Sequence, residues 1–200
     1  MKILLIGVSG TIGKAVTKRL ANNDEIIAAG YSNADVIVDL GSAESIKKMF
    51  EQVGQVDAVI STAGVANFGS FDQLSDDEYQ LALNNKLMGQ VNLVRLGRAY
   101  ISNGGSITLT SGVLSREPMI GSTAVSMVNG ALESFVKAAA LEIDSFRLNV
   151  VSPIFVKETM AMMGMDTEGG LSADDTAKAY VAAVTGSMHG ATLDAPDHVN

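Results

Sequence analysis

Short apolar runs alternate with amphipathic stretches along most of the 200 residues. The first run, Ile3-Leu4-Leu5-Ile6, is apolar without interruption, which is typical of a strand buried on both faces. Stretches with apolar positions three and four residues apart predict helices. The predicted strands are 2–7, 25–29, 35–38, 56–60, 105–110 and 147–151, with a weaker one at 191–194, and the predicted helices are 11–22, 42–53, 76–101, 122–143 and 172–186. The alternation predicts an α/β fold: one doubly wound domain over residues 1–200, with a mainly parallel sheet and helices on both faces.

The connection between the second and third predicted strands is unusually short. Only about five residues, 30–34, separate them, whereas a parallel crossover through a helix needs about a dozen. The helix usually found there is missing. We therefore expect the third strand to be either vestigial or paired unusually.

A glycine-rich turn, Gly7-Val8-Ser9-Gly10-Thr11-Ile12-Gly13, follows the first strand and opens a helix. Such a turn lets backbone N–H groups face a phosphate, and the positive end of the helix dipole favours the phosphate's charge. The spacing is G-x-x-G-x-x-G, not the commoner G-x-G-x-x-G. We expect a dinucleotide pyrophosphate here, with a plain tight turn as the alternative; the contacts would come from Gly7, Ser9, Gly10, Thr11, Ile12 and Gly13.

Composition narrows the classes of function. A net charge of −8, without a basic cluster, argues against a nucleic-acid partner. The absence of cysteine excludes disulfides, thiolate metal sites and a cysteine nucleophile, and it fits a cytoplasmic protein. No apolar stretch is long enough to cross a membrane. The N-terminal run is too short for a signal segment, and no spacing typical of a metal site occurs.

From residue 1 to about residue 160, the chain resembles the short-chain dehydrogenase/reductases, whose fold is Rossmann-like. The resemblance rests on an ordered set of pieces: Gly7, Gly10 and Gly13 for the glycine motif, Asp39-Leu40 for the acidic residue that touches adenine, Ser61-Thr62-Ala63-Gly64 where the family has Asn-Asn-Ala-Gly, Ser111 for its catalytic serine, Asn129–Phe135 for the helix around its catalytic lysine, and Val151-Ser152-Pro153 with Thr159 for the segment at the nicotinamide.

The chain departs from the family at its Asn-Ser-Tyr-Lys active site. Alignment on Asn129-Gly130-Ala131-Leu132 puts Asn129 at the lysine position and Val125 at the tyrosine position. Lys86 stands before Leu87-x-Gly89, where the family has its asparagine. The resemblance therefore implies an atypical member that lacks the Tyr-x-x-x-Lys motif and in which lysine and asparagine have traded places.

Another group must then move the proton that the family's tyrosine moves during hydride transfer. Lys86 is our candidate, because an ammonium can donate a proton or stabilise a developing alkoxide. Ser111 would hydrogen-bond the carbonyl oxygen. The alternative is that Lys86 only binds ribose or reaches solvent. His189 and His198 lack partners for a hydrolase triad and are expected to be solvated. Packing or surface roles are expected for the tyrosines, Tyr31, Tyr79, Tyr100 and Tyr180.

The resemblance implies a nicotinamide nucleotide as cofactor. Its further expected contacts are Asp39, Leu40, Ala63, Gly64, Lys86, Pro153 and Val156. Tyr31 and Ser32 are also expected to contact it, and their turn holds no carboxylate to repel a 2′-phosphate. We therefore expect NADP in slight preference to NAD, unless Asp35 reaches the site.

Segments after the carboxyl ends of the strands should form the substrate side. These are Ser115-Arg116-Glu117 and the methionine-rich 157–165, which can mould around an apolar ligand. We expect a small carbonyl or alcohol substrate. Two alternatives stay open: a catalytically degenerate NAD(P)-binding protein with a sensor or structural role, and an isomerase or dehydratase that uses bound cofactor transiently.

The helix at 122–143 is apolar on more than one face. A helix of this kind needs cover on both sides, and the sheet covers only one of them. We therefore expect a homo-oligomer built on the helices at 76–101 and 122–143.

Overall fold

A computed structural model describes residues 1–199 and shows one seven-stranded sheet in the order β3-β2-β1-β4-β5-β6-β7. Every neighbouring pair of strands is parallel. The first strand lies near the middle of the sheet, as an α/β fold of this kind requires. The strands are β1 Lys2–Ile6, β2 Glu25–Gly30, β3 Val36–Ile37, β4 Val56–Ser61, β5 Ile101–Thr110, β6 Arg147–Ser152 and β7 Thr192–Asp194.

Alternation along β1 divides the core into two layers. Leu4 and Ile6 point into one buried cluster, and Ile3 and Leu5 point into the other. Successive side chains of a strand face opposite sides of the sheet, so an uninterrupted apolar run requires cover on both. The helices are α1 Thr11–Leu20, α2 Ala43–Val53, α3 Asp76–Leu81, α4 Met88–Gly97, α5 Thr123–Ala140, α6 Lys157–Met162 and α7 Ala173–Thr185.

The helices divide between the two faces of the sheet. Apolar residues of α2, α4 and α5 pack with Leu4 and Ile6. Residues of α1 and α7 pack with Ile3 and Leu5. The doubly wound α/β prediction is therefore confirmed. Among residues 1–199, no helix has the length and apolar character needed to cross a bilayer.

The single helix predicted over 76–101 was wrong. α3 passes into a π-helical segment at Ala82–Leu87, α4 follows, and a short 3-10 turn at Arg98–Tyr100 leads into β5. β5 begins at Ile101, four residues before the prediction, because Ile101 pairs with Val56 ahead of a register shift. Gly104 and Gly105 lie inside this irregular strand. The sequence also gave no indication of α6, and the ends of α1 and α5 lie two or three residues inside the predicted bounds.

The short connection after β2 leads to a vestigial strand. β3 has two residues, and it pairs parallel to Ala29 and Gly30 through Val36 and Ile37. The connecting turn has to return the chain only to the level of the last two residues of β2. A crossover helix is therefore unnecessary. Asn33 adopts a left-handed conformation (φ 52°) in the connecting turn.

His189 is exposed, as expected, but its ring also makes hydrogen bonds to the backbone. Its Nδ1 accepts the N–H of Leu148 at 3.0 Å, which leaves the proton on Nε2. Nε2 lies 2.9 Å from the carbonyl oxygens of Ala140 and Ile143. The ring thus ties the end of α5 to the start of β6, a structural role.

Candidate cofactor and active site

The glycine turn lies at the carboxyl end of β1, where the strand order reverses between β1 and β4. Open α/β sheets bind ligands at such a switch point. A Cβ on Gly13 would lie 2.0 Å from the carbonyl oxygen of Gly7 and 3.0 Å from Oγ1 of Thr62. This approach of α1 to the strand permits only glycine. Gly10 precedes α1 and no side chain caps it, so the first N–H groups of α1 are available to an anion.

A first cavity, here called the loop cavity, has a volume of about 470 Å³ beside the glycine turn. Asp39 borders it, and one of its carboxylate oxygens accepts the N–H of Gly41 at 2.8 Å. Tyr31 is 78% exposed at its rim. Ser32 does not border the cavity. The predicted residues in its wall are Gly7, Ser9, Gly10, Tyr31, Asp39, Leu40, Ala63 and Gly64.

A second cavity, here called the Lys86 cavity, also has a volume of about 470 Å³. Thr62 borders both this cavity and the loop cavity. The two cavities lie side by side at the carboxyl edge of the sheet and are together called the trough. The predicted residues in its wall are Ile12, Lys86, Ser111, Pro153, Val156 and Thr159; much of the rest is apolar, with Phe68, Leu114, Met119, Phe155, Met163 and Met165.

Lys86 is the only ionisable side chain among the described residues that line this cavity. It lies in the π-helical segment, a kind of distortion that is frequent at functional sites. Gly64 packs directly on it: a Cβ on Gly64 would lie 3.0 Å from Cγ of Lys86. Burial lowers the pKa of the Lys86 ammonium to about 8, because desolvation disfavours its charge.

Gln90, which sequence reasoning missed, fixes the backbone of this segment. Its buried side-chain amide donates to the carbonyl oxygens of Lys86 at 3.1 Å and Thr110 at 2.9 Å. Its oxygen accepts the N–H of Thr110 at 2.8 Å. These three bonds join the helical segment that carries Lys86 to the end of the strand that carries Ser111.

Asn129 has a buried acceptor without a partner. Its side chain borders the Lys86 cavity, and its Nδ2 lies 3.4 Å from the carbonyl oxygen of Gly112. Oδ1 forms no hydrogen bond with any residue of the described chain. Such an atom is costly unless a ligand or water donates to it. One turn earlier, Val125 is 8% exposed and contributes no polar group.

Ser111 is hydrogen-bonded to Glu133, another residue that sequence reasoning missed. The hydroxyl donates to Oε1 of Glu133 at 3.1 Å, and Ser115 donates to the same oxygen at 2.7 Å. Nε of Arg116 lies 3.5 Å from Oε2. With its hydrogen directed to the carboxylate, the Ser111 oxygen keeps lone pairs as acceptors.

Arg116 was expected on the substrate side, and the structure places it elsewhere. Its guanidinium pairs with Asp194 on β7, donates to the hydroxyl of Ser152 at 2.9 Å, and does not border the Lys86 cavity. No sequence signal connects Arg116 with Asp194, because 78 residues separate them.

No tyrosine borders the Lys86 cavity in the described part of the chain. Tyr180 is fully buried on α7, where its hydroxyl lies 2.7 Å from Oγ1 of Thr110. Thr110 donates its own hydrogen to the carbonyl oxygen of Ser61, so Tyr180 is the donor. Burial raises the pKa of the Tyr180 hydroxyl. It is therefore a packing residue, as expected, and does not replace the missing tyrosine.

The trough fits a nicotinamide nucleotide. Free N–H groups at the start of α1 suit a pyrophosphate. The loop cavity has room for the adenosine half, and the unpaired Oδ1 of Asn129 suits a ribose hydroxyl in the other half. No cluster of three or more metal-ligating side chains occurs within residues 1–199.

Comparison with known proteins agrees with this geometry. A family model described as enoyl-(acyl carrier protein) reductase matches residues 7–188. The crystal structure of the protein lin1944 from Listeria innocua is 40% identical, covers 97% of this chain and 98% of its own, and superposes with a TM-score of 0.93. A small-chain dehydrogenase in complex with NADPH is 28% identical, with coverage of 97% and 95% and a TM-score of 0.85.

Among curated proteins, elsinochrome reductase 1 of Elsinoe fawcettii is 27% identical over 186 residues, which covers 80% of this chain and 70% of that protein. The family model matches most of the chain. The parallel sheet and the trough beside the glycine turn agree with that match. This chain belongs to the short-chain dehydrogenase/reductases, a family of nicotinamide-dependent oxidoreductases, in the branch that the enoyl-(acyl carrier protein) reductase model describes.

Proposed function

We propose that the protein is an atypical NAD(P)-dependent oxidoreductase that acts on a small carbonyl or alcohol. The observation that carries this proposal is that Thr62 borders both cavities. The trough therefore joins a phosphate-binding turn to a cavity bordered by Lys86, Ser111 and Asn129. A protein that only bound the nucleotide would need no such polar groups at the far end.

Each polar group has a distinct part in this proposal. A bound nicotinamide nucleotide would supply the hydride chemistry. The N-terminus of α1 would hold its pyrophosphate, and Oδ1 of Asn129 would accept a hydrogen bond from its ribose. Lys86 donates a proton to the substrate oxygen or stabilises the alkoxide that develops there. The pKa of about 8 keeps the ammonium protonated at neutral pH, yet able to give up its proton.

The role of Ser111 differs from the one expected from the sequence. Its hydrogen is directed to Glu133, so the hydroxyl is not free to donate to a carbonyl oxygen. Its lone pairs can instead accept from a substrate hydroxyl or from the Lys86 ammonium. In the reduction direction, the donor to the carbonyl oxygen is therefore Lys86.

We propose NADP in slight preference to NAD. The exposed turn that holds Tyr31 and Ser32 contributes no carboxylate to the wall of the loop cavity, Asp35 does not border it, and the carboxylate that does, Asp39, accepts the N–H of Gly41. A carboxylate on that turn would repel a 2′-phosphate. The similar small-chain dehydrogenase is described in complex with NADPH. Calorimetric titration should give a lower Kd for NADPH than for NADH.

Replacement of Lys86 by methionine tests the proposed chemistry. Loss of a general acid slows turnover by about 10²- to 10⁴-fold, whereas NADPH affinity should stay nearly unchanged. Lys48→Met is a matched control, because Lys48 is 70% exposed on α2. Turnover on a panel of small carbonyls and the Kd of NADPH are measured for all three proteins.

Two results of that experiment would favour other interpretations. A large fall in NADPH affinity, with turnover preserved at saturating cofactor, would make Lys86 a ribose ligand. Tight NADPH binding by the unmodified protein, without turnover of any carbonyl, would favour the NAD(P)-binding protein with a sensor or structural role.

We also propose that the protein forms a homo-oligomer through α4 and α5. A groove between these helices is only partly filled by the chain itself, and Phe135, Ala139 and Ile143 border it. Met127 on α5 is 42% exposed. Arg95, Arg98 and Glu142 also border the groove. A second copy would cover the apolar residues and pair with these charges.

A further inference from the structure

The apolar wall of the Lys86 cavity surrounds a cation that no anion of the chain neutralises. Every other side chain that borders the cavity in the described structure is neutral. Lys86 forms neither an ion pair nor a side-chain hydrogen bond within residues 1–199, and its desolvation is not compensated by a charged neighbour. A charge in such surroundings is unfavourable until an anion joins it.

We propose that the Lys86 cavity binds a mainly apolar molecule carrying one anionic oxygen, such as a carboxylate, an enolate or a phenolate, and that this oxygen pairs with the Lys86 ammonium. This inference rests on the proposed function, because such a molecule would be the substrate. It narrows the substrate from any small carbonyl compound to one with an acidic oxygen.

The wall supports the apolar part of this description. Phe68 and Phe155 offer aromatic surface, and Met119, Met163 and Met165 offer side chains that adapt to irregular shapes. Besides Lys86, the polar atoms come from hydroxyls and from Asn129. A ligand with several charges would leave all but one of them unpaired in this wall.

Charged groups on the surrounding elements do not border the Lys86 cavity. Glu133 lies behind Ser111, where it accepts from two hydroxyls and faces Arg116. Glu158 accepts the N–H of Ala173 at 2.9 Å, and Lys157 lies beside it at the start of α6. On α3, Glu78 is bonded to Ser75 and Asn67. None of the four borders the Lys86 cavity, so Lys86 remains the group that an anion there would meet.

Two matched probes test the inference without any hydride transfer. Naphthalene-2-carboxylate is an apolar anion, and naphthalene-2-carboxamide has nearly the same shape without the charge. Binding of each is measured by calorimetry at pH 7, with and without saturating NADPH. The carboxylate should bind about tenfold to a hundredfold more tightly, as a charge-assisted hydrogen bond implies.

Lys86→Met should remove this preference and leave the amide's Kd nearly unchanged, which also shows that the variant is folded. In the unmodified protein, the carboxylate should bind more weakly as the pH rises above about 8, because Lys86 loses its proton there. The amide's affinity should stay constant. Lys48→Met should behave as the unmodified protein does.

Equal affinity for the two probes, a preference that survives in Lys86→Met, or failure of both probes to bind at millimolar concentration would each overturn the inference. The proposed function is judged separately. Turnover of neutral carbonyls without any anion preference would sustain the function and defeat the inference. An anion preference without NADPH binding would do the opposite.

Discussion

Three polar side chains that border the Lys86 cavity differ in whether the chain supplies them with a bonding partner. Lys86 and the Oδ1 of Asn129 have no partner in the described chain. Ser111 is bonded to Glu133. A buried acceptor without a partner is costly, so the Asn129 oxygen indicates a ligand that supplies the missing donor. The cavity thus offers a ligand one cationic donor and two acceptors.

The Tyr180 hydroxyl should stabilise the fold and not take part in the reaction. Tyr180→Phe leaves Oγ1 of Thr110 without its donor, because Thr110 gives its own hydrogen to Ser61. We expect the free energy of unfolding to fall by about 0.5–1.5 kcal/mol, measured with urea. Tyr100→Phe, which keeps the stacking on Phe50, should change it by less than about 0.5 kcal/mol. A loss of reductase turnover in Tyr180→Phe larger than its loss of stability explains would contradict this role.

Close contacts between helices and strands fix the positions of the elements that border the trough. α1 meets β1 through Gly13, α4 meets β5 through Gln90, and β7 meets the segment after β5 through Arg116. Each contact lies at the carboxyl edge of the sheet. The elements that form the fold thus also fix the positions of the cofactor-binding turn and the cavity.

The glycine at 13 should be required by the fold as well as by the cofactor. Gly13→Ala would bring a Cβ to 2.0 Å from the carbonyl oxygen of Gly7, and the backbone must then move. We expect a loss of stability of about 1–3 kcal/mol together with weaker NADPH binding. Gly130→Ala is the control, because its Cβ would meet nothing within 4 Å. Alanine in place of this helix-interior glycine should raise the free energy of unfolding by about 0.5–1 kcal/mol. Thermal unfolding and NADPH titration measure both; unchanged stability and affinity in Gly13→Ala would refute the contact.

The ion pair between Arg116 and Asp194 should make stability depend on pH in acid. The hydrogen bond from Arg116 lowers the pKa of the Asp194 carboxyl. A lowered pKa stabilises the folded state above the unfolded pKa of about 3.9, and this contribution is lost as the pH falls further. Asp194→Asn should therefore cost about 0.5–1 kcal/mol at pH 6 and less at pH 3, because the contribution declines as the pH falls from the unfolded pKa through the lowered folded pKa; urea unfolding would measure both. Asp72→Asn, in an exposed loop, serves as control; an equal cost of Asp194→Asn at both pH values would argue against the pair.

The approximate positions and the parallel direction of the strands could be predicted from the sequence, because parallel strands buried on both faces leave uninterrupted apolar runs. The helix at 76–101 could not be predicted correctly. A π-helical segment and a 3-10 turn keep nearly the same apolar spacing as an α-helix, so periodicity does not separate them. Lys86, Ser111 and Asn129 were singled out by their positions in the family's motifs, and all three border the Lys86 cavity. Glu133 and Gln90 were missed, because their partners lie on other elements and only the tertiary fold brings them together. Ser32 was expected in the cofactor site but does not border it.

The molecule as a whole presents one trough on the carboxyl edge of its sheet and one incompletely covered face on α4 and α5. The two features lie on different surfaces. Chemistry and assembly can therefore be tested independently.

Light scattering should show a homo-oligomer at micromolar concentration. Ala138, an exposed residue of the α4–α5 groove, gives a direct variant. Ala138→Arg should yield monomers, because it adds a bulky third cation beside Arg95 and Arg98 in the groove, and like charges buried at an interface are strongly unfavourable. Ala21→Arg, just after α1, should leave the oligomer intact. A monomeric unmodified protein would exclude this assembly.

The central claim is that the trough places a nicotinamide ring beside Lys86 and Ser111. A crystal structure of the protein with NADP⁺ measures this most directly. The pyrophosphate should lie on the glycine turn, and ribose should bond to Oδ1 of Asn129. The nicotinamide C4 should then border the same space as Nζ of Lys86 and Oγ of Ser111, with room for one carbonyl group between them. A nicotinamide ring outside the Lys86 cavity, or one whose C4 faces away from both side chains, would contradict the account.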